Sequence, residues 1–170
     1  MTEGDMERNK QNDIDFFYEV IEQLEVKRIL DIGMLLKRAG RVSMNLAGQE
    51  LTQEISLHGV DFFPEFQFPA WENIYQKRID GSVFFEAKPE MRYDCAFLLG
   101  TEELEGRVSI PEAMERAGVY SEYLLCDQIP AGFHTSEHRI RTLRIETDSY
   151  YLIADKDREA AREGLGRKVR

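Results

Sequence analysis

The sequence predicts an α/β fold, one mostly parallel sheet with helices on both faces and an antiparallel strand pair at its C-terminal side. Three observations carry that expectation. Short apolar runs recur along the chain at Ile29–Ile32, Ile55–Phe63, Tyr93–Leu99 and Ser121–Asp127, with amphipathic stretches between them. Such runs suit strands covered on both faces. The first run meets Gly33 and then another amphipathic stretch, the strand–turn–helix order that presents a backbone turn at the carboxyl edge of a sheet. Residues 139–154 alternate polar or basic with apolar side chains around Asp148-Ser149, which reads as a hairpin.

Each element follows from its own pattern. From Asp13 a helix is expected, because Phe16, Phe17, Val20, Ile21 and Leu24 build one apolar stripe, with Asp13 or Asp15 as its cap. Arg28 to Gly33 is the first strand and turn, and Met34 to Leu46 the next helix. The second strand runs from Ile55 to Phe63. Pro64 and Pro69 then break an aromatic loop holding Phe62, Phe63, Phe66, Phe68 and Trp71. Glu72 to Ile79 is expected to be helical and to end at Asp80-Gly81, with Val83-Phe-Phe85 as a short strand; no clear third strand with a following acid stands between Asp61 and Tyr93. After the Tyr93–Leu99 strand, Ser109, Pro111 and Glu112 open a helix in capping-box spacing, ending at Ala117-Gly118. Residues 129–138 form an irregular loop before the hairpin.

At 170 residues and 42% hydrophobic, the chain suits one domain with a sizeable core. That domain is expected over residues 13–155, between a flexible segment at 1–12 and a charged tail at 156–170. Thirty-two acidic against 22 basic residues give a net charge of −10, which argues against general nucleic-acid binding. Cys95 and Cys126 each lie in an apolar run and read as core thiols rather than a disulfide framework. No Cys/His spacing suggests a metal. The N-terminus lacks a basic region followed by an apolar run, and no stretch reaches ~18 apolar residues, so a cytoplasmic protein without a membrane span is expected.

Two acids stand where a parallel sheet binds ligands, Asp31 before the first turn and Asp61 near the end of the second strand. A carboxylate in the second place offers two acceptor oxygens to a ribose diol, and the first turn offers backbone N–H groups. Ile-Leu-Asp-Ile-Gly33, His-Gly-Val-Asp61 and Tyr-Asp-Cys-Ala-Phe-Leu-Leu99 together resemble the successive strand motifs of class I S-adenosylmethionine-dependent methyltransferases. The terminal strand pair is similar to that family's reversed last strand. The resemblance implies a single-domain Rossmann-like fold with S-adenosylmethionine as cofactor. It implies that Gly33, with Met34 beside it, approaches the amino-acid part of the cofactor while Asp31 orients that loop or the amine. Asp61 would hold the ribose, with Phe62 beside the adenine, and Gly100 and Thr101 would face the substrate. The family's first loop usually reads acid-x-Gly-x-Gly-x-Gly, whereas Leu35 and Lys37 stand here in place of the second and third glycines.

Plainer readings stand beside these. Asp31 could cap or ion-pair at a strand end, and Asp61 could initiate the turn before Pro64. Phe66, Phe68 and Trp71 could form a satellite cluster, a lid or a partner surface. His58 reads as structural, while His134 and His138 could serve as bases but have no nucleophile or metal cluster near them in sequence. Two functions follow. One is a methyltransferase acting on a small molecule or protein, with no catalytic residue identified. The other is a non-catalytic subunit or scaffold of a homo- or hetero-oligomer, using the aromatic loop. A dehydrogenase-like nucleotide-binding domain is a third reading, disfavoured by the same missing glycines.

Overall fold

The computed structural model describes residues 19–34, 55–65, 75–133, 138–145 and 148–155. Within them, strands β1 (Arg28–Ile32), β2 (Ser56–Asp61), β3 (Lys77–Asp80), β4 (Tyr93–Leu98), β5 (Ser121–Cys126), β6 (His138–Ile145) and β7 (Asp148–Asp155) form one sheet. Its order is β3-β2-β1-β4-β5-β7-β6. Strands β1 to β5 pair in parallel, while β7 runs antiparallel between β5 and β6. The expected Rossmann-like architecture is therefore present, including the reversed terminal pair.

Side-chain alternation divides the core into two layers. On one face, Val20 and Ile21 of a helical segment at 19–23, with Leu24 in the turn after it, cover Ile29, Leu57 and Phe97. On the other, α1 (Gly81–Glu86), α2 (Thr101–Leu104) and α3 (Ile110–Tyr120) cover Leu30, Val60 and Leu98, chiefly through Phe84, Leu104 and Met114. Strands β1 and β4 sit between the two layers and are almost wholly buried, which explains their continuous apolar runs. Asp94 ties their starts together, accepting the Lys27 and Arg28 N–H groups at 2.8 and 2.9 Å. The expected cap of α3 is present, with the Ser109 hydroxyl accepting from the Glu112 N–H.

Five local expectations are corrected. Lys77 to Asp80 is a strand, not the end of a helix; it is an edge strand in which Ile79 alone is buried, so only one apolar residue marks it. Val83 to Phe85 belongs to helix α1, because Asp80 accepts the Ser82 N–H and starts a helix where Asp80-Gly81 had suggested a stop. Helix α3 continues past Gly118 to Tyr120, where the chain turns straight into β5. Asp148 and Ser149 pair with Ile145 and Arg144, so they belong to β7 and not to the hairpin turn; His138 likewise opens β6. The first part of the helix expected from Asp13, residues 13–18, and the helix expected from Met34 to Leu46 beyond its first residue fall outside the described residues, as do the terminal segments; Met34 itself belongs to the turn after β1, at φ 44°, and not to a helix.

The register aligns the sheet's carboxyl edge. Asp61 pairs with Asp80, Ile32 with Val60, and Leu98 with Cys126. Gly33, Leu99 and Asp127 each follow their strand by one residue and continue that row.

Candidate functional site

At the carboxyl ends of β2 and β3 a cavity of about 410 Å³ opens between the strand ends, the start of α1 and the segment leading into α3. Asp61, Phe62, Asp80, Gly81, Ser82 and Arg107 are among the residues that line it. Gly81 is required by close approach, since a Cβ there would lie 2.4 Å from the Phe62 ring and 3.0 Å from the Asp61 carbonyl oxygen. The absent side chain lets the Phe62 ring lie against the start of α1, where it also meets Phe84 edge-on and Phe85 at a tilt, at centroid distances of 6.1 and 5.9 Å. One wall is therefore aromatic and two corners are acidic.

The acids differ in surroundings. Asp80 is exposed and accepts from the Ser82 hydroxyl at 2.6 Å and the Ser82 N–H at 2.9 Å. Those bonds, the hydroxyl first, hold its carboxyl below the usual range. Asp61 is buried; Oδ1 accepts the Phe63 N–H at 2.8 Å and Oδ2 accepts from Arg78. Arg107 also lines the cavity, donating to the Phe62 carbonyl at 3.1 Å and pairing with Glu65. Its guanidinium lies 4.1 Å above the Phe63 ring. The Glu65 bond raises the pKa of Arg107 and lowers that of Glu65, so both stay charged.

The first turn stands beside this cavity, one strand inward. Gly33 takes φ 110° and Met34 φ 44°, two successive left-handed residues, and the second is a conformation that side chains rarely adopt. The Gly33 N–H donates to the Val60 carbonyl at 2.9 Å, fixing the turn to β2. Met34 turns its side chain into the core above Gly59. Asp31 is fully buried and accepts from the Tyr75 hydroxyl. Further along the edge, Gly100 precedes α2, and the buried Thr101 hydroxyl lies 2.9 Å from Asp127 Oδ1 and 3.2 Å from Gln128 Oε1.

No family model matches the sequence, and no curated protein matches it. Solved structures do. A Staphylococcus aureus protein assigned as a caffeoyl-CoA O-methyltransferase superposes with a TM-score of 0.54 at 13% identity, over 84% of this chain and 82% of that one. The Escherichia coli protein yhhF, assigned as a methyltransferase, gives 0.56 at 9% identity, over 84% and 85%. The 16S rRNA methylase ArmA gives 0.53 at 15%, over 85% and 83%. The chain has the class I methyltransferase fold.

Within that methyltransferase fold the structure brings Asp61 and Phe62 together in the cavity and sets Asp31, Gly33 and Met34 on the neighbouring strand. Gly100 and Thr101 lie at the end of β4, beside Asp127 of the next strand end. Phe66, Phe68 and Trp71 fall outside the described residues. Asp80, Arg78, Tyr75 and Arg107 were missed by the sequence reading. Asp80-Gly-Ser82 before Val-Phe-Phe was the available signal, since an acid two residues ahead of a serine and an apolar turn is a helix start. Nothing local marks Arg78 or Arg107, whose partners are 17 and 45 residues away. Among the described residues, no group of His, Cys, Asp and Glu could hold a metal ion, and no helix is long and apolar enough to cross a membrane.

Proposed function

We propose that this protein is an S-adenosylmethionine-dependent methyltransferase whose nucleoside subsite is the cavity at the ends of β2 and β3. The observation that carries this reading is the pairing of Asp61 and Asp80 at one level of the sheet edge, both lining a cavity with the Phe62 ring. The donor set fits an adenosine. Asp61 has the two acceptor oxygens that a ribose diol needs, Asp80 is an ionised acceptor for the adenine amine, and Phe62 supplies an apolar ring. Gly33 brings backbone close to where the amino-acid portion would extend along the edge toward β4.

When bound, the cofactor supplies an electrophilic methyl group on a sulfonium. The chain's own residues orient and exclude. Arg107 holds the β2 end in place through the Phe62 carbonyl. Thr101 orients Asp127, placing a carboxylate at the end of β5 on the side away from the nucleoside subsite. We assign Asp127 to the acceptor side, where its carboxylate would take the proton released by an attacking O–H or N–H group. Positioning of donor and acceptor would supply most of the acceleration.

Calorimetric titration with S-adenosylhomocysteine tests the reading. Wild-type protein is expected to bind, and Asp80→Ala to bind roughly ten- to a hundredfold more weakly, the loss of a charged hydrogen bond. No heat and no thermal shift at millimolar ligand would refute it.

A further inference from the structure

The two acceptor oxygens that a ribose would use on Asp61 are already engaged. Oδ1 closes a turn with the Phe63 N–H at 2.8 Å, a bond that leaves the oxygen able to accept a second donor. Oδ2 receives the Arg78 guanidinium. The Asp61 side chain is only 2% exposed, so there is no open side from which a hydroxyl could reach Oδ2 while the guanidinium stays. Arg78 is different: it lies on the edge strand β3 and its side chain is 43% exposed, with solvent to move into.

We propose that Arg78 competes with the ligand for Asp61: it occupies the ribose subsite in the free protein and withdraws to solvent when a cis-diol takes its place. This rests on the nucleoside reading above and adds the residue that sets the site's affinity. In the free protein the guanidinium keeps a buried carboxylate paired, which stabilises an otherwise costly charge. On binding, that pairing is exchanged for two hydroxyl donors, and the net affinity is the difference. Ligands without a vicinal diol gain nothing from displacing Arg78. The competitor therefore selects ribosides over deoxyribosides.

The test uses adenosine, which is neutral, with 2′,3′-dideoxyadenosine as the control lacking the diol. Arg78→Met keeps a long side chain on the edge strand without charge. It is expected to bind adenosine roughly two- to fivefold more tightly than wild type, the size of a partly exposed ion pair. The wild-type protein provides a measurement independent of any variant. Raising salt from ~0.1 M to ~1 M shortens the Debye length from ~10 Å to ~3 Å, weakens the Arg78–Asp61 pair, and should tighten adenosine but not the dideoxy control. Equal or weaker adenosine binding by a folded Arg78→Met, or wild-type affinity that ignores salt or changes equally for both nucleosides, overturns the competition while leaving the nucleoside site intact. Failure of wild type and variant alike to bind adenosine or S-adenosylhomocysteine overturns both readings.

Discussion

Replacing Gly59 by alanine should destabilise the protein through the first turn. Gly59 lies in β2 opposite Asp31, and a Cβ there would sit 2.4 Å from Met34 Cγ, 2.7 Å from its Sδ and 2.9 Å from Tyr75 Cδ1. All three separations are well inside van der Waals contact, so Met34 and Tyr75 must both move. Met34 has little freedom, being 2% exposed and held at φ 44° beside Gly33. Tyr75 is tied to Asp31 through its hydroxyl. Overpacking of this kind costs about 1–3 kcal/mol, which for a chain of this length lowers Tm by roughly 2–12 °C. Urea denaturation of Gly59→Ala, Met34→Ala and the double variant measures it. Met34→Ala alone should cost about 2–5 kcal/mol, but it removes the nearest obstacle, so the double variant should fall short of the sum by about 1 kcal/mol or more. Additive losses, or a Gly59→Ala protein within ~0.5 kcal/mol of wild type, would show that the glycine is not there to admit Met34.

Other consequences concern titration and backbone caps. His58 is buried against the Tyr93 hydroxyl at 2.7 Å, and burial first, then Lys77 and Arg28, lower its pKa from 6.5. The unfolded chain therefore takes up a proton near pH 6.5 that the folded chain refuses, so stability should decline as pH falls below that value. His58→Gln should flatten this slope in denaturation curves between pH 5 and 7. Asp94→Ala removes the acceptor for two N–H groups at the start of β1 and should cost about 1–2 kcal/mol, with Asp94→Asn milder because an amide oxygen still accepts. Burial pushes the Cys126 thiol up to about 12 and raises Cys95 as well. Neither should react with a thiol reagent at pH 8 in the native protein; rapid stoichiometric labelling before unfolding would contradict the packed sheet.

How much of the site was legible depends on the range over which each signal acts. Asp31, Gly33 and Asp61 were readable because each ends a strand whose apolar run announces itself. Ser109-Ile-Pro-Glu112 was readable because a cap and its helix are local. Lys77 to Asp80 was not, since an edge strand with one inward side chain carries too little pattern to outweigh the neighbouring helical reading. Asp80 was lost with it. Its neighbour Gly81 looked like a helix stop, whereas its lack of a side chain serves the Phe62 ring.

The sequence by itself determined the order of elements outside β3 and α1, and thereby the kind of sheet. Alternating buried runs and amphipathic stretches admit few other arrangements, and the final alternating segments demand an antiparallel pair. Tertiary structure decided what the edge of that sheet can do. Only strand order and register set Asp80 against Asp61, bring Arg78 onto that carboxylate, fold Tyr75 over Asp31 and carry Thr101 to Asp127. These contacts join residues 17 to 44 positions apart, and their geometry depends on interstrand pairing that no local pattern encodes. Asp31 and Asp61 were visible in the chain; what holds them was set by the fold.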